Sequence, residues 1–282
     1  MTAERQPAAT TRVAIDQATP WEDGLWQQIC AEAREAAAQE PALASYFHTA
    51  VLSHNSLDSA LVHNLASLLG SQVISALAIR RVFAEAMVAD SGIGRNMRRD
   101  ILAHHERDPA CDKVLTPLLY FKGFHALQVH RVAHWLWCNQ RRALALYWQN
   151  LGSEIFAVDI HPGARIGGGI MLDHATGIVI GETAVVEDDV SILHSVSLGG
   201  TGNQSGDRHP KVRRGVLIAA GAKILGNIEI GAGAKIGAGS LVLTSVAPHS
   251  TVVGVPAKAV GAPADPSPEL ILKQQINPDA HT

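Results

Sequence analysis

An aliphatic residue recurs at every sixth position through the second half of the chain, and this period constrains the fold more than any other feature. The positions fall in three blocks: Ile160, Ile166 and Leu172; Ile180, Val186, Ile192 and Leu198; Ile218, Ile224, Ile230, Ile236 and Val242. A six-residue period fits neither a helix repeat nor the alternation of a strand, and it predicts a solenoid of hexapeptide repeats. Three hexads form one triangular coil with the aliphatic side chains inside, so these hexads predict about four coils.

The first half of the chain has the composition and spacing of a helical domain. Stretches rich in Ala, Leu, Arg and Glu predict helices over Asp23–Glu40, Ser56–Leu69, Val73–Asp90, from about Ile93 to Arg107, and one or two between Leu118 and Leu151. The predicted chain is therefore α+β in four parts: a disordered lead-in over residues 1–20, an α-helical oligomerisation domain over 21–155, a β-helix over 156–260 and a tail over 261–282. The outer faces of a short triangular prism can pack around a threefold axis, so we expect a trimer, which the helical domain can join into larger assemblies.

Composition argues against several function classes. A formal charge of −3 and a pI near 6.5 give no electrostatic basis for nucleic-acid binding. No apolar stretch approaches a membrane span or a secretory signal, which predicts a cytoplasmic protein without membrane attachment. The chain has no P-loop motif, and its glycine-rich stretches lie in coil corners, so nucleotide hydrolysis and dinucleotide binding are disfavoured.

The cysteine and histidine spacings predict neither a disulfide nor a metal site. Cys30, Cys111 and Cys138 are odd in number, widely spaced and without a CxxC pair, which favours reduced thiols. His130 and His134 have the i,i+4 spacing of a helical metal site, but no third ligand accompanies them, so no metal is expected. We interpret most other histidines of the first half as surface or partly buried helix residues.

Candidate functional residues lie where the six-residue period fails. Asp159 stands at the start of the solenoid, and Asp173 and His174 lie in a register slip of two residues before Ile180. Asp159 and His174 are fifteen residues apart, close to one coil of about eighteen, so they can lie near each other on adjacent coils. A carboxylate that orients the imidazole would make His174 a general base near neutral pH. The alternative is a solenoid histidine that is exposed or bonded to a carbonyl group.

The longest interruption is an excluded loop over residues 199–214, in which we find no hexad. Arg208 offers a planar pair of donors that suits a carboxylate, and His209 stands beside it. The alternative is a solvated loop without a ligand. The turn Gly199–Gly202 is a candidate oxyanion-binding turn, because glycine lets backbone N–H groups approach a ligand closely.

Five motifs closely resemble those of the serine O-acetyltransferase family: Glu106–Ala110 (ERDPA), Phe121–Ala126 (FKGFHA), Asp159–Pro162 (DIHP), Leu172–Gly177 (LDHATG) and Gly206–Lys211 (GDRHPK). Many acyltransferases share hexapeptide repeats, whereas these motifs together are specific. The resemblance covers residues 21–262. It implies a left-handed parallel β-helix and transfer of an acetyl group from acetyl-CoA to the hydroxyl of L-serine, which is the first step of cysteine biosynthesis in bacteria and plants.

The resemblance also implies roles for individual residues. His174 would be the base that takes the serine proton, and Asp159 would orient it. Four residues would bind the substrate, the first two its ammonium group and the last two its carboxylate: Asp108, Asp173, Arg208 and His209. The family binds CoA in a groove between neighbouring coils, and the matching positions here are Gly200, Thr201, Ala220, Ala238 and Lys258.

Partners follow from the same resemblance. Members of the family are typically inhibited by L-cysteine and assemble as dimers of trimers. Some members bind O-acetylserine sulfhydrylase through a tail that ends in Ile. This chain ends in Thr282 with Ile276 internal, so it departs from the pattern of that tail.

Three other interpretations of the repeat stay open. A different hexapeptide O-acetyltransferase, acting on a sugar or an antibiotic hydroxyl, would keep the solenoid and a base histidine but would not need ERDPA or GDRHPK. A zinc carbonic anhydrase on the same fold would need three histidine ligands from adjacent faces. A non-catalytic scaffold would need no base at all.

Overall fold

The computed structural model describes residues 20–202 and 205–262, so most of the predicted lead-in and tail lies outside the described residues. Its first half contains these α-helices: α1 Pro20–Gln39, α2 Ala44–Phe47, α3 Leu57–Leu69, α4 Ala76–Ala89, α5 Ser91–Arg107, α6 Leu115–Tyr120, α7 Lys122–Cys138 and α8 Arg142–Phe156. A 3₁₀ turn at Pro41–Leu43 and a π-helical turn at His48–Leu52 flank α2. In the described parts of the chain, no helix is long and apolar enough to cross a membrane.

Local side-chain chemistry determines where two of these helices begin and end. The Ser75 hydroxyl accepts a hydrogen bond from the Ala78 N–H group (3.2 Å) and caps α4, which therefore begins three residues after the predicted start. Helix α5 ends at Arg107, because Asp108 is followed by Pro109 and this disfavours helical backbone at Asp108. The end of α5 thus places the first candidate substrate-binding residue.

Two parts of the helical half differ from the prediction. Helices α2 and α6 were not predicted, because stretches of four and six residues are too short to show a helical period. The region from Leu118 to Leu151 begins with the end of α6 and otherwise forms α7 and α8, which are separated at Gln140. The φ of 62° at Gln140 is in the left-handed region and cannot continue a right-handed helix.

The second half is the predicted parallel solenoid. Its strands are β1 Val158–Ile160, β2 Arg165–Ile166, β3 Met171–Asp173, β4 Ile178–Ile180, β5 Val185–Val186, β6 Ser191–Leu193, β7 Ser197–Gly199, β8 Lys211–Val212, β9 Leu217–Ile218, β10 Lys223–Leu225, β11 Glu229–Ile230, β12 Lys235–Ile236, β13 Leu241–Val242, β14 Thr251–Gly254 and β15 Ala257–Gly261. The first face of the prism consists of β1, β4, β7, β10 and β13, the second of β2, β5, β8 and β11, and the third of β3, β6, β9, β12, β14 and β15. Only β15 is antiparallel to its neighbour among the described strands. Eleven of the twelve aliphatic repeat residues are buried inside, which confirms the interpretation of the period.

Turns between strands form three edges of the prism. The first edge, where the chain passes from the third face to the first, comprises residues 174–177, 194–196, 219–222 and 237–240. The second edge, between the first and second faces, comprises residues 161–164, 181–184, 200–202, 205–210 and 226–228. The third edge, between the second and third faces, comprises residues 167–170, 187–190, 213–216 and 231–234.

The excluded loop is shorter than predicted. Strand β7 ends at Gly199, and β8 pairs with β5 on one side and β11 on the other, so the loop lies between residues 199 and 211 and does not extend over 199–214. Val212 is therefore a further buried repeat position, which the sequence analysis missed. The repeat is obscured there because Arg213 and Arg214 replace the small residues that usually follow the aliphatic one.

Helices α5 and α7 pack on the third face and connect the two halves. Gly123, in the first turn of α7, lies against the solenoid so closely that a Cβ atom there would be 2.1 Å from the Leu172 carbonyl oxygen. The fully buried Asp100 of α5 accepts hydrogen bonds from Arg131 Nη2 (2.7 Å) and from the Ile170 N–H group (3.0 Å). This buried pair links α5, α7 and the first coil in one network.

Candidate active site

The turn over residues 173–177 presents the candidate base on the first edge. His174 and the residue after it have φ values of 53° and 59°, in the left-handed region that non-glycine residues rarely adopt. The Thr176 carbonyl accepts a hydrogen bond from the Ser195 N–H group of the next coil (2.8 Å), and Lys122 of α7 donates to the Thr176 hydroxyl. Contacts with neighbouring coils and with α7 therefore hold a strained turn, which leaves the His174 side chain 74 % exposed.

One carboxylate, Asp173, lies beside His174, and a second, Asp108, lies near Asp173. Asp173 Oδ2 is 3.6 Å from His174 Nε2. Asp108 comes from the end of α5, and its Oδ1 accepts a hydrogen bond from the Ala110 N–H group (2.9 Å). Burial raises the pKa of the Asp173 carboxyl, and the neighbouring Asp108 raises it further. A cation bound here would stabilise both ionised carboxylates, so the pair suits an ammonium group.

Successive coils continue the first edge away from His174. The His194 ring meets the His174 ring edge to face, with centroids 5.7 Å apart. The His194 carbonyl accepts a hydrogen bond from the Gly221 N–H group (2.9 Å), and the Ala220 carbonyl accepts one from the Gly239 N–H group (2.8 Å). The order along the edge is His174, His194, Ala220 and Ala238. Two of the predicted CoA-binding residues thus lie on the same edge as the candidate base.

Asp159 has a different partner from the one predicted. It lies in the middle of β1 on the first face, and its Oδ1 accepts a hydrogen bond from Gln149 Nε2 of α8 (2.7 Å). Among the described residues, no hydrogen bond or ion pair joins Asp159 to His174. The pairing of the two residues as base and orienting group stays a prediction.

On the second edge, Thr183 fixes the orientation of His209. The Thr183 N–H group donates to His209 Nδ1 (3.2 Å), and the Thr183 hydroxyl lies 2.9 Å from the same nitrogen. Nδ1 must therefore accept, which leaves the proton of a neutral ring on Nε2. Burial and the neighbouring Arg208 lower the pKa of His209, so the neutral form is favoured. Gly181 permits this position, because a Cβ atom there would lie 2.1 Å from the His209 ring.

Arg208 already has a carboxylate partner. Its Nη2 donates to Glu182 Oε2 at 2.8 Å, and its Nη1 donates to the Gly206 carbonyl at 3.0 Å. The hydrogen bond from Arg208 lowers the pKa of Glu182. Arg208 and His209 thus present N–H donors at one end of the excluded loop, an arrangement that suits a ligand carboxylate.

The remaining predicted CoA-binding residues are not clustered. Gly200 and Thr201 begin the excluded loop on the second edge. Lys258 is exposed on β15, opposite Val253 in the terminal hairpin. Apart from Lys258, the CoA-binding candidates of a single chain therefore lie on the two edges that border the first face.

Comparison with known proteins identifies the family. The family model for the N-terminal region of serine acetyltransferase matches residues 25–129, and the model for bacterial transferase hexapeptide repeats matches residues 209–244. A serine acetyltransferase of Salmonella typhimurium is 59 % identical over 258 residues, which are 92 % of this chain and 94 % of the relative. The chain belongs to the serine acetyltransferase family.

Solved structures of serine acetyltransferases share this fold. One, from Brucella abortus strain S19 in complex with coenzyme A, has a TM-score of 0.84 and 52 % identity, with 85 % of this chain and 96 % of the other covered. Another, in complex with cysteine, has a TM-score of 0.89 and 52 % identity, with 91 % of this chain and 100 % of the other covered. Membership of the serine acetyltransferase family makes this chain an acyltransferase, and it removes the carbonic anhydrase and scaffold interpretations.

Sequence reasoning missed four residues that contact the candidate groups: Gly181, Glu182, Thr183 and His194. His194 follows His174 by twenty residues, and this equals the coil length in that part of the solenoid, where Asp159 pairs with Val179. Applying the register slip to the next coil would have found it. The other three contact the loop residues Arg208 and His209 across coils, and no sequence signal marks those contacts.

Proposed function

We propose that this chain transfers the acetyl group of acetyl-CoA to the hydroxyl of L-serine, giving O-acetyl-L-serine and CoA, as the first step of cysteine biosynthesis. The observation that carries the proposal is the pair of neighbouring carboxylates Asp108 and Asp173, of which Asp173 lies beside His174, because a substrate with an ammonium group next to its hydroxyl fits this arrangement. The names of the relatives and the coenzyme A complex of the Brucella protein give independent support.

His174 acts as the general base. It takes the hydroxyl proton while the serine oxygen attacks the thioester carbonyl, and assistance of this kind accelerates a reaction roughly 10²–10⁴-fold. The attack forms a tetrahedral oxyanion, which collapses with expulsion of the CoA thiolate. Backbone N–H groups of Gly199–Gly202 stabilise that oxyanion, and one such donor contributes about 2.7–4 kcal/mol. Asp159 orients His174.

Charge complementarity orients the serine. Asp108 and Asp173 bind its ammonium group, while Arg208 and neutral His209, donating from Nε2, bind its carboxylate. CoA lies along the coils against Gly200, Thr201, Ala220 and Ala238, and Lys258 contacts a phosphate. Small residues on exposed turns let the pantetheine chain approach backbone groups.

A second copy of the chain completes the site. The ammonium-binding and carboxylate-binding groups lie on different edges of the prism, so we propose a trimer in which the first edge of one copy faces the second edge of the next. The helical half joins two trimers. A cytoplasmic location and a possible complex with O-acetylserine sulfhydrylase stay predictions.

L-cysteine inhibits the enzyme by occupying the serine pocket. Cysteine has the same ammonium and carboxylate groups as serine, and a serine acetyltransferase of the same fold has been solved with cysteine bound. The inhibition is therefore competitive with serine.

A thiol-release assay tests the proposal. Acetyl-CoA is supplied with L-serine, L-homoserine or a galactoside, with and without L-cysteine. We expect CoA release with L-serine, suppressed by cysteine at low serine concentration. Turnover of the galactoside without turnover of serine would favour the alternative, a hexapeptide O-acetyltransferase for sugar or antibiotic hydroxyls.

A further inference from the structure

One carboxylate on the third edge binds three arginines. Asp189 Oδ1 is 3.0 Å from Arg99 Nη2 and 3.6 Å from Arg107 Nη2, and its Oδ2 is 2.9 Å from Arg214 Nη2. Arg99 and Arg107 belong to α5, whereas Arg214 belongs to the next coil. Asp189 therefore ties the helix that ends at Asp108 to two coils of the solenoid.

Arg107 connects this cluster directly to the candidate site. It is 4 % exposed, and its Nη1 donates to the Ser191 hydroxyl (3.3 Å) at the start of β6. Asp108 is the next residue in the chain, so the contacts that anchor Arg107 also restrain the backbone at Asp108. Strand β3, which carries Asp173, pairs with β6 along its whole length. The contacts of Arg107 thus fix Asp108 relative to the strand pair that carries Asp173.

The position of Asp189 is itself tightly determined. Its φ of 60° lies in the left-handed region, where Asp and Asn are tolerated better than most residues. Its N–H group donates to the Gly168 carbonyl at 2.9 Å. A Cβ atom on Gly169 would lie 2.3 Å from Asp189 Oδ1, so the neighbouring turn leaves space for this carboxylate only because glycine is present. A strained, charged residue on a different edge from the candidate base therefore calls for a functional explanation.

We propose that Asp189 is a positioning residue for recognition of the substrate ammonium group. By holding Arg107, it sets the separation of the Asp108 and Asp173 carboxylates. The proposal rests on the serine-binding role given above to that pair. Its effect falls on serine and on cysteine, which share the ammonium group, and spares acetyl-CoA.

The test compares Asp189→Asn with Asp188→Asn. Asparagine keeps the size of Asp189 and its tolerance of left-handed backbone, but it removes the charge that binds Arg107. Asp188 is the matched control, because it precedes Asp189 in the same turn and pairs with Arg99 at 3.2 Å, whereas the ion pair described for Arg107 is with Asp189. We expect Asp189→Asn to raise the KM for serine and the inhibition constant for cysteine at least about fivefold, with kcat and the KM for acetyl-CoA within about twofold. Asp188→Asn should leave all four constants within about twofold.

Amide hydrogen exchange provides a readout that needs no activity. The Asp108 N–H group donates to the His104 carbonyl, and the Cys111 N–H group donates to the Asp108 carbonyl. Exchange at both amides therefore reports on the end of α5. We expect faster exchange at these two amides in Asp189→Asn than in Asp188→Asn. If Asp189→Asn does not fold, the same measurements are made on Arg107→Lys. Lysine keeps the positive charge of Arg107 but lacks the planar pair of donors of the guanidinium group, so the contact with Asp189 is weakened from the other side.

Three outcomes overturn the proposal. One is a serine KM unchanged in Asp189→Asn, the second is an equal change in both variants, and the third is unaltered exchange at the end of α5. If the wild-type chain fails to acetylate serine, the proposed function is wrong, yet the exchange comparison still tests whether Asp189 fixes Asp108.

Discussion

At the scale of single residues, backbone conformation determines what the candidate base can reach. The left-handed φ of His174 turns its side chain out of the coil, so the ring is exposed at the edge instead of packed inside. Another exposed histidine, His249, has a similar φ of 52° but lies far along the chain from the carboxylate pair. The same substitution at both residues therefore separates the effect of losing a base beside the carboxylates from the effect of replacing a histidine in left-handed backbone.

We expect His174→Asn to lower kcat roughly 10²–10⁴-fold, with a much smaller change in the KM for serine. Asparagine preserves the left-handed backbone but cannot act as a base near neutral pH. His249→Asn, the matched control, should retain wild-type kcat. Thiol release measured over a range of serine concentrations checks both, and a kcat for His174→Asn near that of wild type would contradict the assignment.

Gly181→Ala tests the carboxylate-binding side of the site. The added methyl group would overlap the His209 ring at 2.1 Å, so the ring must move away from its Thr183 partner. We expect the KM for serine to rise at least about tenfold, because a misplaced donor no longer meets the carboxylate. Gly24→Ala is the control, since nothing lies within 4 Å of a Cβ atom there. An unchanged KM in Gly181→Ala would show that His209 does not bind serine.

At the scale of elements, buried histidines make the helical half sensitive to acid. His104 of α5 and His125 and His130 of α7 are buried, and burial lowers the pKa of each, for His104 from 6.5 to about 3. Below pH 6.5, the unfolded chain therefore binds protons at His104 that the folded chain does not bind. The stabilising contribution of neutral His104 is complete above pH 6.5 and is lost as the pH falls towards 3.

We expect the free energy of unfolding to decrease by up to about 1.4 kcal/mol per pH unit between those limits because of His104. His104→Gln removes one titrating group and should make the dependence shallower. Urea unfolding at a series of pH values measures it. Equal slopes for the variant and the wild-type chain would mean that His104 does not contribute.

The elements also differ in how well their sequences predict them. The solenoid and the longer helices follow from their periods, because each element repeats its buried position several times. Strand β8 and helices α2 and α6 were missed, since each offers only one or two such positions. The site divides in the same way: Asp173 and His174 are marked by a break in the period, whereas Thr183 and Glu182 matter through contacts between coils that are distant in sequence.

At the scale of the whole molecule, the two edges predict complementation between copies. His174→Asn inactivates the first edge and Arg208→Ala the second, so each homo-oligomer should have little activity. In an equal mixture, half of the copies have an intact first edge and the other half an intact second edge. About one in four contacts between copies in random trimers therefore joins two intact edges, so the mixture should regain up to about a quarter of wild-type activity. Refolding the two purified variants together checks this, and each variant refolded alone is the control. No gain on mixing would mean that one copy supplies both edges.

The excluded loop leaves the solenoid after β7 and returns at β8 without altering the ladders. Lys211 still pairs with Val185 before it in sequence and with Glu229 after it, as if the intervening residues were absent. A segment that leaves both neighbouring registers intact can change in length or chemistry without a compensating change elsewhere in the coils. Arg208 and His209 lie at the end of this loop. Replacement of the loop is therefore the simplest route by which such a scaffold could acquire specificity for a different acetyl-accepting substrate.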